Sequence, residues 1–422
     1  MPNITQCLVD YLIDKAATIT DEKIKKAMAC REDYIAVAVA GAVKNRSHWE
    51  QLLALTPKGR AELIGYEKKV DSKTAAMING FNAHALELDD GQRFAMIHLG
   101  ASIISAIKAA ADEYKINDEM FNVGIIMGYE AACRVAIAMQ PFHKNRGYHA
   151  AGTCGTIGSA IGVAFALNMD KAQINRILTC AAGSAAGMLE IQEQKSELKP
   201  YNLGRAAMDG LTAAYMGFTD FATPDDMFGG GRGFFNTFSD KWDINKLIEE
   251  TNYFEIDRIY VKPYASCRHS HSAVEAAIKL HRSINIDEIE RIEVKTYDLG
   301  VKGHDHTYIQ GIASAKLSTP YAVAAGLMYG RADLSVFEPL DERVSEMAKR
   351  VRVLEDPSLT AESPKKRIAI VNVVLINGNE QSVRVDYAKG DPENPMTKEE
   401  IEEKHRLLLE YSYQHSQSMN TQ

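Results

Sequence analysis

A run of small residues constrains this chain more than any other feature. Glycine, alanine and serine are frequent in residues 147–169, which begin with the tripeptide Gly147-Tyr148-His149. The run becomes apolar at helical spacing, and small side chains let helix backbones approach closely, so we expect a central buried helix from about Thr156. Glycine also lets a loop backbone come near a ligand. His149 is therefore either an ordinary core histidine or part of a site, and other segments bear on that choice.

The periodicity of the chain changes along its length. Apolar residues recur at helical spacing over residues 5–216, whereas residues 289–297 alternate as a half-buried strand does. Two further strands flank an Asn377-Gly378 turn, and a capping box of Thr397 and Glu400 starts a final helix. We predict a mainly α protein. A large all-helical domain spans residues 1–265 and is completed by a C-terminal helix at 396–422, and a smaller α+β domain spans 266–395.

Composition excludes several classes of protein. The chain has 422 residues, 46% of them hydrophobic, and a net charge of −8, whereas a nucleic-acid-binding surface would be basic. An acidic protein can still hold a cationic pocket for anionic substrates. The six cysteines form no Cys-x-x-Cys pair, which is typical of a reduced cytoplasmic protein. No run reaches the roughly 18 apolar residues of a spanning helix, and no signal pattern is present, so we expect a soluble cytoplasmic protein.

An acidic cluster lies inside an otherwise apolar region. Glu87, Asp89 and Asp90 fall within four residues, and His98 follows. Such carboxylates repel one another in a core and suit a helix end or a loop beside a cavity, where one with a raised pKa can act as a general base. A solvated helix C-terminus would produce the same pattern.

Two cationic clusters accompany the acidic cluster. Lys199 and Arg205 bracket a turn that opens a small-residue helix, which suits carboxylate binding, although a surface lysine and a capping arginine would look alike. The segment Cys267-Arg268-His269-Ser270-His271 precedes a helix at the predicted domain boundary, where ligand sites are common.

The His-x-His spacing raises the alternative of a metal site. His269 with His271 and His304 with His306 show this spacing, and Asp89 and Asp90 would complete a zinc or manganese site in a metal-dependent hydrolase. No more specific ligand spacing supports this alternative, so we predict no metal.

Taken in order, these clusters resemble the MmgE/PrpD family, which includes 2-methylcitrate dehydratases, cis-aconitate decarboxylase and iminodisuccinate epimerase. The resemblance covers most of the chain, and the ordered set carries it rather than any single piece. The matching pieces are Asn79-Gly80 with residues 84–90, His98-Leu99-Gly100, residues 147–158, Lys199 with Gly204-Arg205-Ala206-Ala207, residues 262–271, and Lys389-Gly390-Asp391-Pro392 with Asn394-Pro395.

The resemblance implies a large helical domain formed by both chain ends, a smaller α+β domain, a homodimer, and catalysis without a metal or an organic cofactor. It carries the functional positions of the family onto His149, Lys199, His98 and Glu87. At the position of Glu87 the family often has Asp. The small-domain motif falls on residues 267–271, where some members have His at the position of Cys267. Departures are Leu99 for proline, Gly91-Gln92-Arg93 for Asp-Thr-His or Asp-Thr-Trp, and Tyr201-Asn202 where a histidine often follows the lysine. They bear on the substrate more than on the fold.

The implied chemistry is a carbanion next to a carboxylate, which needs placed donors and cations. We expect His149 and His98 to move protons, with Glu87 or Asp90 orienting them or sharing that role, although Lys199 would be the base if desolvation lowers its pKa. The residues expected to bind the substrate are Arg93, Arg205, Arg268, His269, His271 and Cys267, with Lys199 also holding a carboxylate.

The leading prediction is a hydro-lyase of the 2-methylcitrate dehydratase type that acts on a small di- or tricarboxylate. A cis-aconitate-type decarboxylase and an iminodisuccinate-type epimerase use the same carbanion and are close alternatives. The metal-dependent hydrolase and a non-catalytic helical scaffold are more distant ones.

Overall fold

The protein is described by a computed structural model that covers residues 2–193 and 196–419. The chain forms two compact units. Unit 1 contains the chain up to Ile191, Leu198–Ile259 and the chain from His405 onward, and unit 2 contains Gln192–Glu197 and Tyr260–Lys404. The units meet in sequence between residues 259 and 260, six residues before the predicted boundary. The final helix is divided between them at residue 404, whereas the sequence assigned all of it to the large domain.

Unit 1 is built almost entirely from helices. Short strands also occur in it, at Lys58–Glu62 (β1), Lys69–Val70 (β2) and Gly91–Gln92 (β3), and β1 pairs with β2 in antiparallel fashion. The expectation of a purely helical domain was therefore wrong in this detail, because strands of two to five residues are too short for a period-2 signal. The helices are α1 Ile4–Ala16, α2 Asp21–Lys44, α3 Arg46–Leu55, α4 Ser72–His84, α5 Gly100–Tyr114, α6 Asp118–Met139, α7 Phe142–Asn145, α8 Ala150–Ala166, α9 Lys171–Ser184, α10 Tyr201–Tyr215, α11 Phe234–Phe238 and α12 Ile244–Ile248.

The central helix of unit 1 is α8, which is buried along nearly its whole length and packs against α5, α6, α9 and α10. A Cβ atom on Gly158 would lie 2.7 Å from the Gly128 carbonyl oxygen, and one on Gly162 would lie 3.0 Å from that of Gly124. The small residues therefore permit close packing on α6, as expected. The helix begins at Ala150 rather than near Thr156, because small residues in its first turns give no apolar periodicity.

Helix α6 is long and apolar enough to cross a membrane by length and composition alone. Its most apolar window is 83% buried inside the protein, which is typical of a core helix. The run-length argument from the sequence did not identify it, because polar residues such as Glu130 interrupt the apolar run.

Unit 2 contains a four-stranded sheet of order β6-β5-β7-β8, with β5 parallel to β6 and antiparallel to β7. The predicted hairpin is confirmed, since β7 and β8 pair around Gly378, whose φ is 84°. The elements are β4 Ile259–Tyr260, α13 His271–His281, β5 Ile289–Thr296, α14 Asp298–Val301, α15 Ile312–Leu317, α16 Thr319–Tyr329, α17 Glu342–Ala348, β6 Val351–Glu355, α18 Pro357–Glu362, β7 Ala369–Leu375, β8 Glu380–Val385 and α19 Lys398–Met419.

Candidate active site

The acidic cluster lies in the loop between α4 and α5, at the point where α4 ends. Glu87 has a φ of 56°, the left-handed region that a residue with a side chain rarely adopts. Its N–H donates to the carbonyl oxygen of His84, the last residue of α4, at 3.1 Å. Backbone strain of this kind is common at functional sites. The turn leaves Glu87, Asp89 and Asp90 buried rather than solvated at a helix end.

Five charged or titratable side chains form a continuous chain of contacts, the charge chain, in which Lys199, Glu87, His84 and Asp89 are buried and His98 is partly exposed. Lys199 Nζ donates to Glu87 Oε1, and the same oxygen lies 3.4 Å from His84 Nε2. His84 Nδ1 donates to Asp89 Oδ2 at 2.9 Å, and His98 Nδ1 lies 3.4 Å from that oxygen. Anions and bases alternate along this chain, so a proton gained at one member changes the electrostatic energy of its neighbours.

Asp89 is the anion between the two histidines. Burial alone would raise its pKa, but the neighbouring His84 and His98 hold the pKa of Asp89 well below its usual range. His98 Nδ1 also lies 2.9 Å from the carbonyl oxygen of Asp90, which can only accept, so this nitrogen carries a proton. Nε2 of His98 is then the atom that can accept or deliver a proton, and Asp89 stabilises the charged ring.

Asp90 has a different environment from Asp89. Its Oδ1 accepts from the N–H of Gly100 at 2.8 Å, and its Oδ2 accepts from the Tyr129 hydroxyl at 2.6 Å. Burial raises the pKa of Asp90 to about 6, and the two hydrogen bonds oppose that rise. Both oxygens therefore tie the loop to α5 and α6. A share of Asp90 in proton transfer stays a prediction.

His149 precedes the first residue of α8 and packs against the start of α10. The Asn202 side-chain amide donates to His149 Nδ1 at 3.0 Å, so the neutral ring carries its proton on Nε2. Burial, followed by the positive charge of Lys199 and the nearby His84 and His98, holds the pKa of His149 well below its usual range. A neutral imidazole with a fixed N–H is a hydrogen-bond donor for developing negative charge.

The structure therefore brings together four of the predicted catalytic residues, His149, Lys199, His98 and Glu87, in unit 1. Two predicted arginines of this unit have other contacts. The Arg93 guanidinium lies 5.0 Å from the ring of Phe94. Arg205 pairs with Asp209 at 2.5 Å and donates to the carbonyl oxygens of Ser184 and Ala186.

Arg205 thus holds the turn before Gly187, whose carbonyl oxygen accepts from the His149 N–H at 3.1 Å. This contact supports His149 through the backbone. A direct contact of Arg205 or Arg93 with a substrate stays a prediction.

The remaining predicted residues lie in unit 2. Arg268 pairs with Asp391 at 2.8 Å and donates to His271 Nδ1 at 2.9 Å, and His271 Nε2 lies 3.1 Å from the Ser266 carbonyl oxygen. These contacts give Arg268 and His271 a structural role in the described chain. His269 Nδ1 lies 2.7 Å from the Tyr297 hydroxyl. Their predicted contacts with a substrate stay predictions.

One group of described residues could hold a metal ion. The ligand atoms of His84, Asp89 and His98 all lie within 4.8 Å of one another. Within the described ranges 2–193 and 196–419, neither His-x-His pair contributes to such a group. Both ring nitrogens of His271 are engaged in hydrogen bonds, so the metal site drawn from these pairs does not form there.

Two residues of the site are not among the site residues predicted from the sequence. His84 is the last residue of α4 and falls three positions before Glu87, so its spacing to the acidic cluster was the available signal. Asn202 was read only as a departure from a histidine. Its contact with His149 spans 53 positions in sequence, and no local pattern predicts it.

A mainly helical protein with buried acids, bases and a lysine in one chain of contacts is an enzyme equipped for proton transfer beside anionic groups. Comparison of the chain with known protein families identifies its family. The MmgE/PrpD N-terminal domain matches residues 7–247 and the MmgE/PrpD C-terminal domain matches residues 264–422, so the chain belongs to the MmgE/PrpD family. It is a lyase or a closely related isomerase of that type.

Curated relatives agree with this assignment. The cis-aconitate decarboxylase-like protein oryM of Aspergillus oryzae is 24% identical, over 96% of this chain and 90% of its own length. Cis-aconitate decarboxylase of Aspergillus terreus is 23% identical, over 92% of this chain and 86% of its own length. The 2-methylcitrate dehydratase of Escherichia coli is 27% identical, but over 29% of this chain and 28% of its own length.

Proposed function

We propose that the chain is a lyase that acts on a small tricarboxylate through a carbanion next to a carboxylate, with decarboxylation of cis-aconitate as the leading reaction. The similarity to cis-aconitate decarboxylases runs over nearly the whole chain, whereas the similarity to a 2-methylcitrate dehydratase covers 29% of it. For this reason we propose decarboxylation ahead of the dehydration that the sequence suggested first. Dehydration and epimerisation share the carbanion and are the alternatives.

The observation that carries the proposal is the charge chain next to His149. In the proposed decarboxylation a C–C bond breaks, CO₂ leaves, and the electron pair spreads through the alkene toward a remaining carboxylate. The ammonium group of Lys199 and the Nε2–H of His149 would stabilise that negative charge in a buried site. Protonated His98, held by Asp89, would deliver a proton to the carbanion from Nε2.

The same groups serve the alternatives. In a dehydration, neutral His98 Nε2 would take the proton next to the carboxylate, and the carbanion would expel hydroxide. In an epimerisation, a second donor would return a proton to the other face. The protonation state of His98 in the substrate complex therefore separates decarboxylation from the other two reactions.

Proton NMR in D₂O tests the proposal with cis-aconitate, 2-methylcitrate, citrate and iminosuccinate compounds. Loss of a carboxylate with deuterium in the product would support decarboxylation. A new olefinic signal from methylcitrate would indicate the dehydratase, and deuterium with only a change of stereochemistry the epimerase. No exchange or turnover on any compound would contradict carbanion chemistry on these acids.

Several companion proposals rest on the family resemblance. We propose that the enzyme is a cytoplasmic homodimer that needs no metal or organic cofactor, and that it binds neither nucleic acid nor membranes. Light scattering would give twice the chain mass of 46.6 kDa. Activity that survives dialysis against a chelator would support the absence of a metal, and its loss with recovery on adding zinc would point to His84, Asp89 and His98.

A further inference from the structure

A cysteine and a histidine lie close together in unit 2. Neither belongs to the charge chain, which lies in unit 1. Cys267 Sγ lies 3.7 Å from His304 Nε2, in hydrogen-bond range for sulfur. The N–H of Cys267 donates to the Lys316 carbonyl oxygen in α15 at 2.8 Å. The thiol is therefore held beside the imidazole by the backbone.

The proton positions on His304 follow from its other contact. His304 Nδ1 lies 2.9 Å from the Leu317 carbonyl oxygen, which can only accept, so Nδ1 carries a proton. In the neutral ring the lone pair is then on Nε2, the nitrogen that faces the thiol. Cysteine nucleophiles are activated by an adjacent base that a third group orients. Here the thiol of Cys267, the imidazole of His304 and the carbonyl oxygen of Leu317 have these positions.

A neighbouring ring holds the imidazole in place. The ring of His269 stacks on that of His304, with centroids 5.3 Å apart and planes at 28°. His269 Nδ1 is itself held by the Tyr297 hydroxyl at 2.7 Å. The His304 ring is thus fixed by a carbonyl on one edge and by an aromatic stack on one face.

The other cysteines of the described chain have different surroundings. Burial raises the pKa of Cys30, Cys133, Cys154 and Cys180, which keeps these thiols protonated. Cys7 and Cys180 are the two that are more exposed than Cys267, which is 8% exposed. Exposure alone would therefore rank Cys7 and Cys180 ahead of Cys267 in reactivity.

We propose that Cys267 and His304 form an activated thiol that is alkylated by small electron-poor alkenes conjugated to a carbonyl group. His304 Nε2 takes the thiol proton, and the sulfur forms a C–S bond to the β-carbon of the alkene. The π electron pair moves to the α-carbon, which receives the proton from His304 Nε2. The S–H and π bonds are replaced by C–S and C–H bonds, so no oxidant or further reactant is needed.

The test is competitive labelling of the full-length native protein with limiting N-ethylmaleimide near pH 7, followed by digestion and mass spectrometry of all cysteine peptides. Cys267 should be labelled first, about tenfold faster than Cys7 and Cys180, because His304 Nε2 takes its proton and the thiolate is the form that attacks the alkene. Labelling of Cys267 no faster than that of Cys7 and Cys180 would overturn the proposal.

His304→Gln supplies the second measurement, because glutamine can still donate to the Leu317 carbonyl oxygen but cannot act as a base. Labelling of Cys267 should fall about tenfold in this variant, to the rate of an unassisted thiol. Unchanged labelling of Cys7 and Cys180, with continued protection of Cys133 and Cys154, shows that the variant is folded. An unchanged rate at Cys267 in the folded variant would overturn the base role of His304. The labelling needs no turnover, so failure of the proposed lyase activity would leave this result intact.

Discussion

At the scale of single residues, the chemistry of the site depends on which ring nitrogens carry protons. Asn202 leaves the proton of neutral His149 on Nε2, whereas the Asp90 carbonyl oxygen places one on Nδ1 of His98. The two histidines therefore have different roles, one as a neutral donor and the other as a proton carrier supported by Asp89. The sequence predicted proton transfer for both and did not distinguish them.

Replacing Asn202 by Asp should reverse the tautomer of His149. A carboxylate can only accept, so Nδ1 would have to carry the proton and the neutral ring would lose its Nε2–H donor. Loss of one such donor lowers kcat by about 100-fold with little change in KM. Steady-state kinetics on the substrate identified by NMR measures this. Asn175→Asp on α9 adds the same charge outside the charge chain and should keep wild-type kcat. A fully active Asn202→Asp enzyme would contradict the role of His149.

Lys199 and Glu87 should depend on each other for stability. Lys199→Met would leave the Glu87 carboxylate buried without its cation, and breaking a buried pair from one side costs about 3 kcal/mol. Lys199→Met combined with Glu87→Gln should recover most of that cost, because no buried charge remains unpaired. Urea unfolding measures the stabilities. Both variants should lack activity, so the double variant should recover stability without recovering catalysis.

If the double variant were as unstable as Lys199→Met alone, the two side chains would not form the coupled pair that the structure shows. Glu87→Gln alone is the matched single change, since it keeps Lys199 and removes only the anion. It completes the cycle that isolates the pairwise energy.

Local sequence patterns identified some of these residues and could not identify others. Glu87 and Asp89 stood out because carboxylates are rare in an apolar region. The pairing of Glu87 with Lys199 spans 112 positions and depends on how α4 and α10 meet, which periodicity does not determine. The same limit applies to Arg268, whose partner Asp391 is far away in sequence and was not predicted.

At the scale of elements, α4 and α10 approach each other through two glycines, and this approach positions the two ends of the charge chain. A Cβ atom on Gly204 of α10 would lie 2.4 Å from the Met77 carbonyl oxygen in α4. One on Gly80 of α4 would lie 3.0 Å from the Cα atom of Gly204. His84 ends α4, and Lys199 lies two residues before the first residue of α10, so this packing determines the distance between the histidine and the lysine.

Gly204→Ala should therefore impair both stability and catalysis. The added methyl group meets a backbone carbonyl that cannot rotate away, and overpacking of this kind costs about 2 kcal/mol. Gly183→Ala in α9 is the matched control, because its Cβ would have Met227 Cε as nearest neighbour at 3.9 Å. The control should be neutral or slightly stabilised in urea unfolding. Equal stability of the two variants would contradict close packing of α4 on α10.

Asp90 connects the acidic loop to α5 and α6, and its raised pKa makes this connection dependent on pH. The pKa of about 6 in the folded protein lies above the ordinary value of 3.8, so the folded state binds more protons between these values. Stability from this group therefore rises as pH falls from 7 to 5, by about 1 kcal/mol. Asp90→Asn removes this dependence, and exposed Asp240→Asn should keep it. Identical pH profiles of wild type and Asp90→Asn would contradict the raised pKa.

At the scale of the whole molecule, the first and last parts of the chain meet in unit 1. His405 of α19 lies 3.1 Å from Asp33 of α2, a contact that spans 372 positions. Leu408 and Tyr411 of the same helix are buried. The capping box of Thr397 and Glu400 that starts α19 was read correctly from the sequence, because a helix start is local. The packing partner of α19 is not local, and only the family resemblance suggested it.

A chain that ends at Lys404 should fold less stably than one that ends at Ser416. The shorter chain loses the contact of His405 with Asp33 and exposes the surfaces that Leu408 and Tyr411 cover. Burial of each of these side chains contributes about 2 kcal/mol, so the melting temperature should fall by roughly 5 °C. Calorimetry on both truncations and on the full chain measures this.

The chain ending at Ser416 keeps all three side chains and should have the same melting temperature as the full chain. Equal melting temperatures for all three chains would mean that α19 adds nothing to unit 1. A selective loss in the shorter chain would show that the C-terminal helix stabilises the unit that holds the charge chain.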